Sequence, residues 1–384
     1  DKNRQPHSIP TLIAVLATPS RLRDTGRHSP GNLDPRDPPM APNRLIDLYS
    51  DTQTRPSPAM RKAMAEAEVG DEQRGEDPTT NRLQDMSAEL FGKEAAVFLP
   101  SGTMCNQIAV AVHCRPGDEI IGADTTHVFT SEGGGASALT GAQTLPVRST
   151  FGKFTGADVE AAFRDGDGRH NPTSRLVVIE QTSNRGGGNV WSEAEIADVA
   201  AAARRKGLVV HMDGARILNA VVASGVPAKR MAQHVDSVWV DLSKGLGCPI
   251  GGVLAGSKAF IKEAWRWKHR FGGAMRQSGI VAAAGVYALE HNVERLAEDH
   301  ANARLLAERI AEIPGFKVYN PKVETNIVFF DVRGAGLTAK GVCEAILPKG
   351  VRMGTTYGSM IRAVTHHDVS RSDIETAAKV LKEV

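Results

Sequence analysis

A doubly wound α/β fold with a mostly parallel sheet is the architecture this sequence predicts, on three observations. Short runs of β-branched and apolar residues recur at 95–99, 119–121, 176–180, 208–212 and 236–241. Stretches with helical spacing separate them, and strand–helix alternation is the pattern of parallel βαβ units. Beyond Ala259 the composition shifts to long helical stretches and then short strands, which predicts a smaller α/β lobe. The expected division is 1–39 as a disordered extension, 40–259 as an N-terminal arm plus large domain, and 260–384 as linking helices plus small domain.

Taken in order, residues 1–39 are rich in Pro, Arg, Ser and Asp and hold one apolar patch at 12–16, too little for a core. A signal peptide would carry a longer apolar segment and a small-residue cleavage site, and a transit peptide fewer acids. The segment therefore reads as disordered, with Met40 as the natural start. Residues 47–56 read as an extended polar arm, and 58–67 as a helix because Ala and Met recur at helical spacing. The charged stretch 70–78, punctuated by Gly and Pro, is a loop that is exposed or lines a site. A helix over 81–90 and the strand 95–99 lead into Pro100-Ser101-Gly102-Thr103, which opens a helix running to about His113. Strand, hydroxyl-rich turn and helix N-terminus make an anion cradle, since free N–H groups and the positive end of the helix dipole face the ligand. Alone, that turn is more often an ordinary cap. Strands at 119–121, 176–180 and 208–212 follow, with a Gly133-Gly134-Gly135 turn and an Ala-rich helix over 192–206. The run 236–241 is a buried strand ended by Gly245 and Gly247. Helices over 260–269, 277–290 and 292–313, a strand over 325–330 and a final helix from Ser370 complete the chain.

Composition narrows the function. Lys and Arg number 46 against 44 Asp and Glu, a net charge of +2, and the excess lies in residues 1–39. Balanced charge and 5% aromatics give no reason to expect nucleic acid or an anionic membrane as partner. The four cysteines show no CxxC spacing, so neither a zinc site nor a disulfide framework is expected, and a reducing cytoplasm fits. No apolar run approaches the roughly 18 residues of a membrane span.

The chemistry sits at strand ends. Lys244, in Leu242-Ser243-Lys244-Gly245-Leu246-Gly247, follows the tip of strand 236–241, where open α/β sheets bind ligands. A lone lysine there is usually solvated; its company changes the reading. In chain order come a Ser-Gly-Thr helix start, His127 before a glycine-rich turn, Asp213 at one strand tip and Lys244 at the next. Pyridoxal phosphate asks for these groups: a helix N-terminus for its phosphate, an acid for its ring nitrogen and an amine for its aldehyde.

The motifs His211-Met212-Asp213-Gly214-Ala215-Arg216, Leu242–Pro249 and Met275-Arg276-Gln277-Ser278-Gly279, with 47–56, 75–79 and 99–103, closely resemble the L-threonine aldolases, members of the fold-type I pyridoxal-phosphate superfamily. The resemblance runs from about residue 45 to 384. It implies an aspartate-aminotransferase-like fold with a mostly parallel seven-stranded sheet, and a homotetramer of tight dimers whose active sites are completed across the interface. By the same resemblance Lys244 is the lysine that condenses with the cofactor and Asp213 the ring-nitrogen partner. Ser101, Gly102 and Thr103 hold the phosphate, with Arg276 reaching it from the partner subunit. His127 stacks on the cofactor ring near the substrate hydroxyl, and Glu180 is placed among the cofactor contacts. Ser50, Arg216 and Arg362 hold the substrate carboxylate or the cofactor's phenolic oxygen. An arginine in the apolar run 360–364 needs an anionic partner, which a carboxylate taken bidentately supplies.

Two positions depart from the family pattern. Ser183 stands where many members carry a histidine that by the resemblance contacts the substrate hydroxyl and influences threo/erythro choice, and Arg74 where a tyrosine is usual; both are placed among the substrate-binding residues. Ser183 is a poor general base near neutral pH, so His127 or a water has to take the hydroxyl proton. Arg74 adds a cation that suits an anionic side chain, or pairs with a neighbouring acid. The implied activity is retro-aldol cleavage of L-threonine or L-allo-threonine, and of bulkier substrates such as phenylserine, to glycine and an aldehyde. Other pyridoxal-phosphate chemistry, β-elimination or transamination, and a catalytically silent oligomer stay open on sequence alone.

Overall fold

The β-branched runs assemble into one seven-stranded sheet in the computed structural model, which describes residues 44–320, 322–356 and 359–384. From one edge the strands are Ala95–Leu99, Gly252–Gly256, Ser237–Asp241, Val209–Asp213, Thr173–Glu180, Asp118–Ala123 and Gln143–Val147. The last five run parallel, and Gly252–Gly256 is antiparallel to both of its neighbours. Every residue of Ser237–Asp241 and Gly252–Gly256 is buried, so these strands are covered on both faces, which is why they read as unbroken apolar runs rather than alternating ones. Two strands carry no clear signal in the sequence. Gln143–Val147 is a half-exposed edge with a proline, and Gly252–Gly256 is short and begins and ends in glycine.

Helices form where caps and apolar stripes agree. Ser57 caps Pro58–Ala65, and Asp77 caps Pro78–Phe91, with proline in the first turn of each. Ser192 and Ser370 form capping boxes with Glu195 and Asp373 ahead of Glu193–Arg205 and Arg371–Lys382. The expected elements fall within a few residues of those observed.

A second sheet of four antiparallel strands, ordered Gly354–Thr356, Met360–Val364, Ile327–Asp331 and Lys317–Val318, lies toward the C-terminus. Val328, Phe330 and Ile361 pack there with Leu306 and Leu381 from the helices Leu296–Ala311 and Arg371–Lys382. The polar arm joins the two regions. Its strand Ile46–Asp47 pairs in parallel with Val351–Arg352, and the Val364 N–H donates to the Leu48 carbonyl at 2.9 Å. Residues Arg44–Val384 form one compact unit, and the extension read over 1–39 lies outside the described residues.

Candidate active site

Three neighbouring parallel strands end in carboxylates: Thr173–Glu180 in Glu180, Val209–Asp213 in Asp213, and Ser237–Asp241 in Asp241. Glu180 and Asp213 are direct cross-strand partners. Facing these tips is the N-terminus of helix Gly102–His113, and just beyond them stands Lys244. Together they enclose a cavity of about 300 Å³ lined by Ser50, Ser101, Gly102, Thr103, His127, Glu180, Asp213, Arg216, Lys244 and Arg362 from the sequence reading, and also by Thr182, Asn184, Glu132, Trp239 and Asp241.

The turn before the helix is shaped by its glycine. A Cβ on Gly102 would lie 2.2 Å from the Trp239 ring and 3.1 Å from Asp241 Oδ2, so no side chain fits between the helix start and the strand tip. Ser101 Oγ accepts from the Met104 N–H, which caps the helix and leaves the hydroxyl proton for a ligand. Lys244 Nζ sits 3.0 Å from Asp241 Oδ2 and 5.7 Å from the Trp239 ring centroid.

His127 is held at two points by two different acids. Its backbone N–H donates to Glu180 Oε2 at 2.6 Å, and its ring Nδ1 lies 2.8 Å from Glu132 Oε1. A ring nitrogen facing a carboxylate carries the proton, so Nε2 is the nitrogen left to accept. Burial would lower the imidazole pKa, but the bond to Glu132 and the charges of Asp213, Glu132 and Glu180 outweigh it and raise it above its ordinary value. Polar atoms of His127, Glu132 and Asp213 all lie within 4.8 Å of one another. Glu180 also accepts from the Asn184 N–H at 2.7 Å, so a single carboxylate ties together the loops that follow two strands. Burial, then the charge of Asp213, pushes Glu180 above the usual carboxylate range.

The cationic side differs in kind. Arg216 forms a buried fork with Asp51, Nε to Oδ2 and Nη2 to Oδ1 both at 2.7 Å. Burial favours the neutral acid, yet the guanidinium holds the Asp51 carboxyl well below the ordinary aspartate range. Arg362 has no such partner among the described residues. It donates to neutral oxygens, Asn184 Oδ1 at 2.9 Å and the Tyr49 carbonyl at 3.4 Å, and its buried Nε has no hydrogen-bond partner among the described residues. Burial and the nearby Arg216 bring its pKa down to about 10. A guanidinium in a cavity with an unmet N–H is prepared for an anion. Thr182 Oγ1 is likewise buried and unpartnered beside the same space.

Three residues from the sequence reading stand elsewhere. Ser183 does not line the cavity: its Oγ accepts from the Gly186 N–H at 3.2 Å and lies against Gly152, leaving its neighbours Thr182 and Asn184 as the lining groups. Arg74 is exposed at the end of a 3₁₀ turn. Arg276 is exposed and pairs with Asp71 at 2.9 Å, outside the cavity of its own chain. That segment is anchored by a buried ion pair between Lys268 and Glu72, whose backbone N–H donates to the Arg276 carbonyl. Sequence reasoning passed over Asp51, Glu132, Asn106 and Asp241. Asn106 and Gln107 did leave a trace, as adjacent amides in an otherwise apolar helix.

The donor set suits pyridoxal phosphate. The hydroxyl-bearing helix start accepts a phosphate, Asp213 presents a carboxylate to a protonated ring nitrogen, Lys244 offers an amine, and the unmet Arg362 Nε and Thr182 Oγ1 leave polar capacity for a substrate.

Comparison with known proteins agrees with this geometry. The beta-eliminating lyase family profile matches residues 47–333. The chain is 42% identical to the low-specificity L-threonine aldolase 1 of Arabidopsis thaliana over 335 residues, 86% of this chain and 94% of that one. It is 43% identical to the low specificity L-threonine aldolase of Escherichia coli strain K12 over 334 residues, 87% of this chain and 97% of the relative. A Leishmania major threonine aldolase structure superposes with a TM-score of 0.77 at 21% identity, covering 88% of this chain and 99% of that one. A serine palmitoyltransferase from Sphingomonas wittichii reaches 0.69 at 18% identity, covering 88% and 86%, so the shared feature there is the fold-type I architecture. On the family match and these identities, the chain belongs to the beta-eliminating lyase family, among its low-specificity L-threonine aldolases.

Proposed function

We propose that this chain cleaves L-threonine and L-allo-threonine to glycine and acetaldehyde with bound pyridoxal phosphate. The observation that carries the reading is the grouping, in one cavity, of a lysine at a strand tip, an acid for a ring nitrogen, a histidine with its Nε2 free, and an arginine with an unmet buried N–H. When bound, the cofactor supplies an aldehyde for the substrate amine and an acceptor for the electron pair released at Cα. Ser101, Gly102 and Thr103 hold its phosphate, Asp213 faces its ring nitrogen, and Lys244 is the amine that anchors it.

The remaining work belongs to side chains. Arg362 takes the substrate carboxylate through a fork that has only neutral partners to give up. Arg216, fixed by Asp51, keeps a second positive charge beside it without being free to move. His127 Nε2 receives the β-hydroxyl proton as the Cα–Cβ bond breaks, because Nδ1 is committed to Glu132 and the raised pKa makes the ring a stronger base. Ser183 is turned away from the cavity, which supports His127 rather than residue 183 as the proton acceptor.

We also infer an oligomer, the homotetramer implied at the sequence level, in which the exposed Arg276 and its anchored segment serve a neighbouring site. The exposed Arg74 belongs to the same face of the proposal. A reducing, cytoplasmic setting fits four cysteines that are all unpaired. The test is release of acetaldehyde and glycine from both threonine diastereomers with added pyridoxal phosphate, run beside Lys244→Ala. Release of both products, lost in the variant, is expected; a wild type that binds cofactor and cleaves neither amino acid refutes the reading.

A further inference from the structure

One buried side chain outside the cavity lining touches both acids on which the site depends. Asn106, in helix Gly102–His113, is fully buried. Its Nδ2 donates to Asp213 Oδ2 at 2.8 Å and to Glu132 Oε1 at 2.6 Å. Its Oδ1 accepts from the Trp239 indole Nε1 at 2.7 Å and faces His211 Nε2 at 3.1 Å. An indole N–H only donates, so the amide oxygen must face Trp239, and the NH₂ group is thereby forced toward the two carboxylates.

The remaining protons follow by the same logic. Because Asn106 Oδ1 can only accept, His211 Nε2 carries the proton and donates to it, so His211 Nδ1 must accept, and it does so from Ser237 Oγ at 2.8 Å. Ser237 then accepts from His113 Nε2 at 2.9 Å. His211 has to be neutral for this to close, whereas His113 needs only a proton on Nε2. Burial lowers His113 to about 4 and His211 to about 3, which fits. The network therefore has one consistent proton arrangement, and it delivers two N–H donors to two carboxylates.

We propose that Asn106 is the positioning residue that ties Asp213 to the carboxylate behind His127, with its amide orientation dictated by the Trp239 indole. It donates one N–H to each acid and holds them at a fixed spacing, so the group meant for the cofactor ring and the group that steers the base are held by the same amide. The part concerning catalysis rests on the cleavage reading and on His127 as its base. His127 is faced by Glu132 from its own segment, by Asp213 from strand Val209–Asp213 and by Glu180 from strand Thr173–Glu180. All three are acidic. If Asn106 is changed, Glu132 keeps the Gln107 Nε2 donor at 2.5 Å on its other oxygen, while Oε1 loses the N–H that competes with His127 Nδ1. The imidazolium is then favoured, and the base form of His127 requires a higher pH.

The test uses holoenzyme carrying Asn106→Ala and the isosteric Asn106→Asp, with far-UV circular dichroism and the melting temperature showing that each variant is folded. Two measurements are made: the dissociation constant for pyridoxal 5′-phosphate by tryptophan fluorescence, and the pH profile of kcat/KM for L-allo-threonine. The expected result is about tenfold weaker cofactor binding, from the loss of a hydrogen bond to a charged group, and an acid limb moved upward by roughly half a unit to one unit, further in Asn106→Asp. A folded variant with wild-type cofactor affinity, or with an unmoved acid limb and only a lower melting temperature, overturns the proposal. The affinity measurement does not depend on aldol cleavage, so failure of the cleavage reading leaves it standing as a separate result.

Discussion

Glu180→Gln tests the claim that one carboxylate holds two active-site loops. Glu180 accepts the His127 N–H at 2.6 Å through one oxygen and the Asn184 N–H at 2.7 Å through the other, with Thr126 Oγ1 at 3.2 Å from the first. Glutamine keeps the shape and one acceptor, but its NH₂ must then face one of two backbone N–H groups. A hydrogen bond to a charged group is worth about 1.5–3 kcal/mol, and a donor left facing a donor adds its own desolvation. His127 carries the proposed base and Asn184 holds the Arg362 guanidinium, so the loss reaches both proton transfer and carboxylate binding. At 1.36 kcal/mol per factor of ten, kcat/KM falls about ten- to a hundredfold. The assay is acetaldehyde release from L-allo-threonine, with far-UV circular dichroism and the pyridoxal-phosphate dissociation constant measured alongside. A folded Glu180→Gln enzyme within about twofold of wild type would refute the clamp.

Asp51→Asn leaves the Arg216 guanidinium buried without its counter-charge and should destabilise the chain by about 3–5 kcal/mol, read from urea unfolding; an unchanged midpoint sinks the idea. Because Asp51 titrates below its ordinary 3.8 in the folded chain, the stability it contributes is present above that pH and drains away as pH falls below it. A pair that is merely decorative would show no acid loss attributable to Asp51 when wild type and Asp51→Asn are compared. If Arg362 takes the substrate carboxylate as proposed, Arg362→Ala should raise KM for the amino acid by about a hundredfold with cofactor affinity unchanged; an unaltered KM would dismiss that role. Ser183→Ala should lose about 1 kcal/mol of stability with the Gly186 N–H contact and keep the threonine to allo-threonine preference. A changed preference would return the hydroxyl-binding role to Ser183.

Much of this was legible in the sequence because the signals are periodic or local. Buried strands such as 95–99 and 236–241 announce themselves by unbroken apolar runs, and Ser101, Asp213 and Lys244 sit at strand tips where position alone makes a polar residue informative. What escaped depends on distance along the chain. Asp51 matters because Arg216 and Asn326 come to meet it, and nothing in the arm 47–56 says so. Glu132 and Asn106 are ordinary polar residues until the helix and the strands bring them to one point. Ser183 shows the reverse case: its place in the motif points at the substrate, while its hydroxyl accepts from the Gly186 N–H. The strand Gly252–Gly256 was hidden because glycine at both ends mimics a turn.

The polar arm has a consequence for how the protein is made. Ile46 lies beside Val351, Leu48 is bonded to Val364, and Asp51 receives Asn326, so the arm waits for partners made nearly last. Arg362 enters the cavity from that same late strand. The last strand of the seven-stranded sheet ends at Gly256, so every strand of it is synthesised well before Arg362. A chain cut between Gly256 and Met360 contains every strand of that sheet while lacking both Arg362 and the Val364 N–H that moors Leu48.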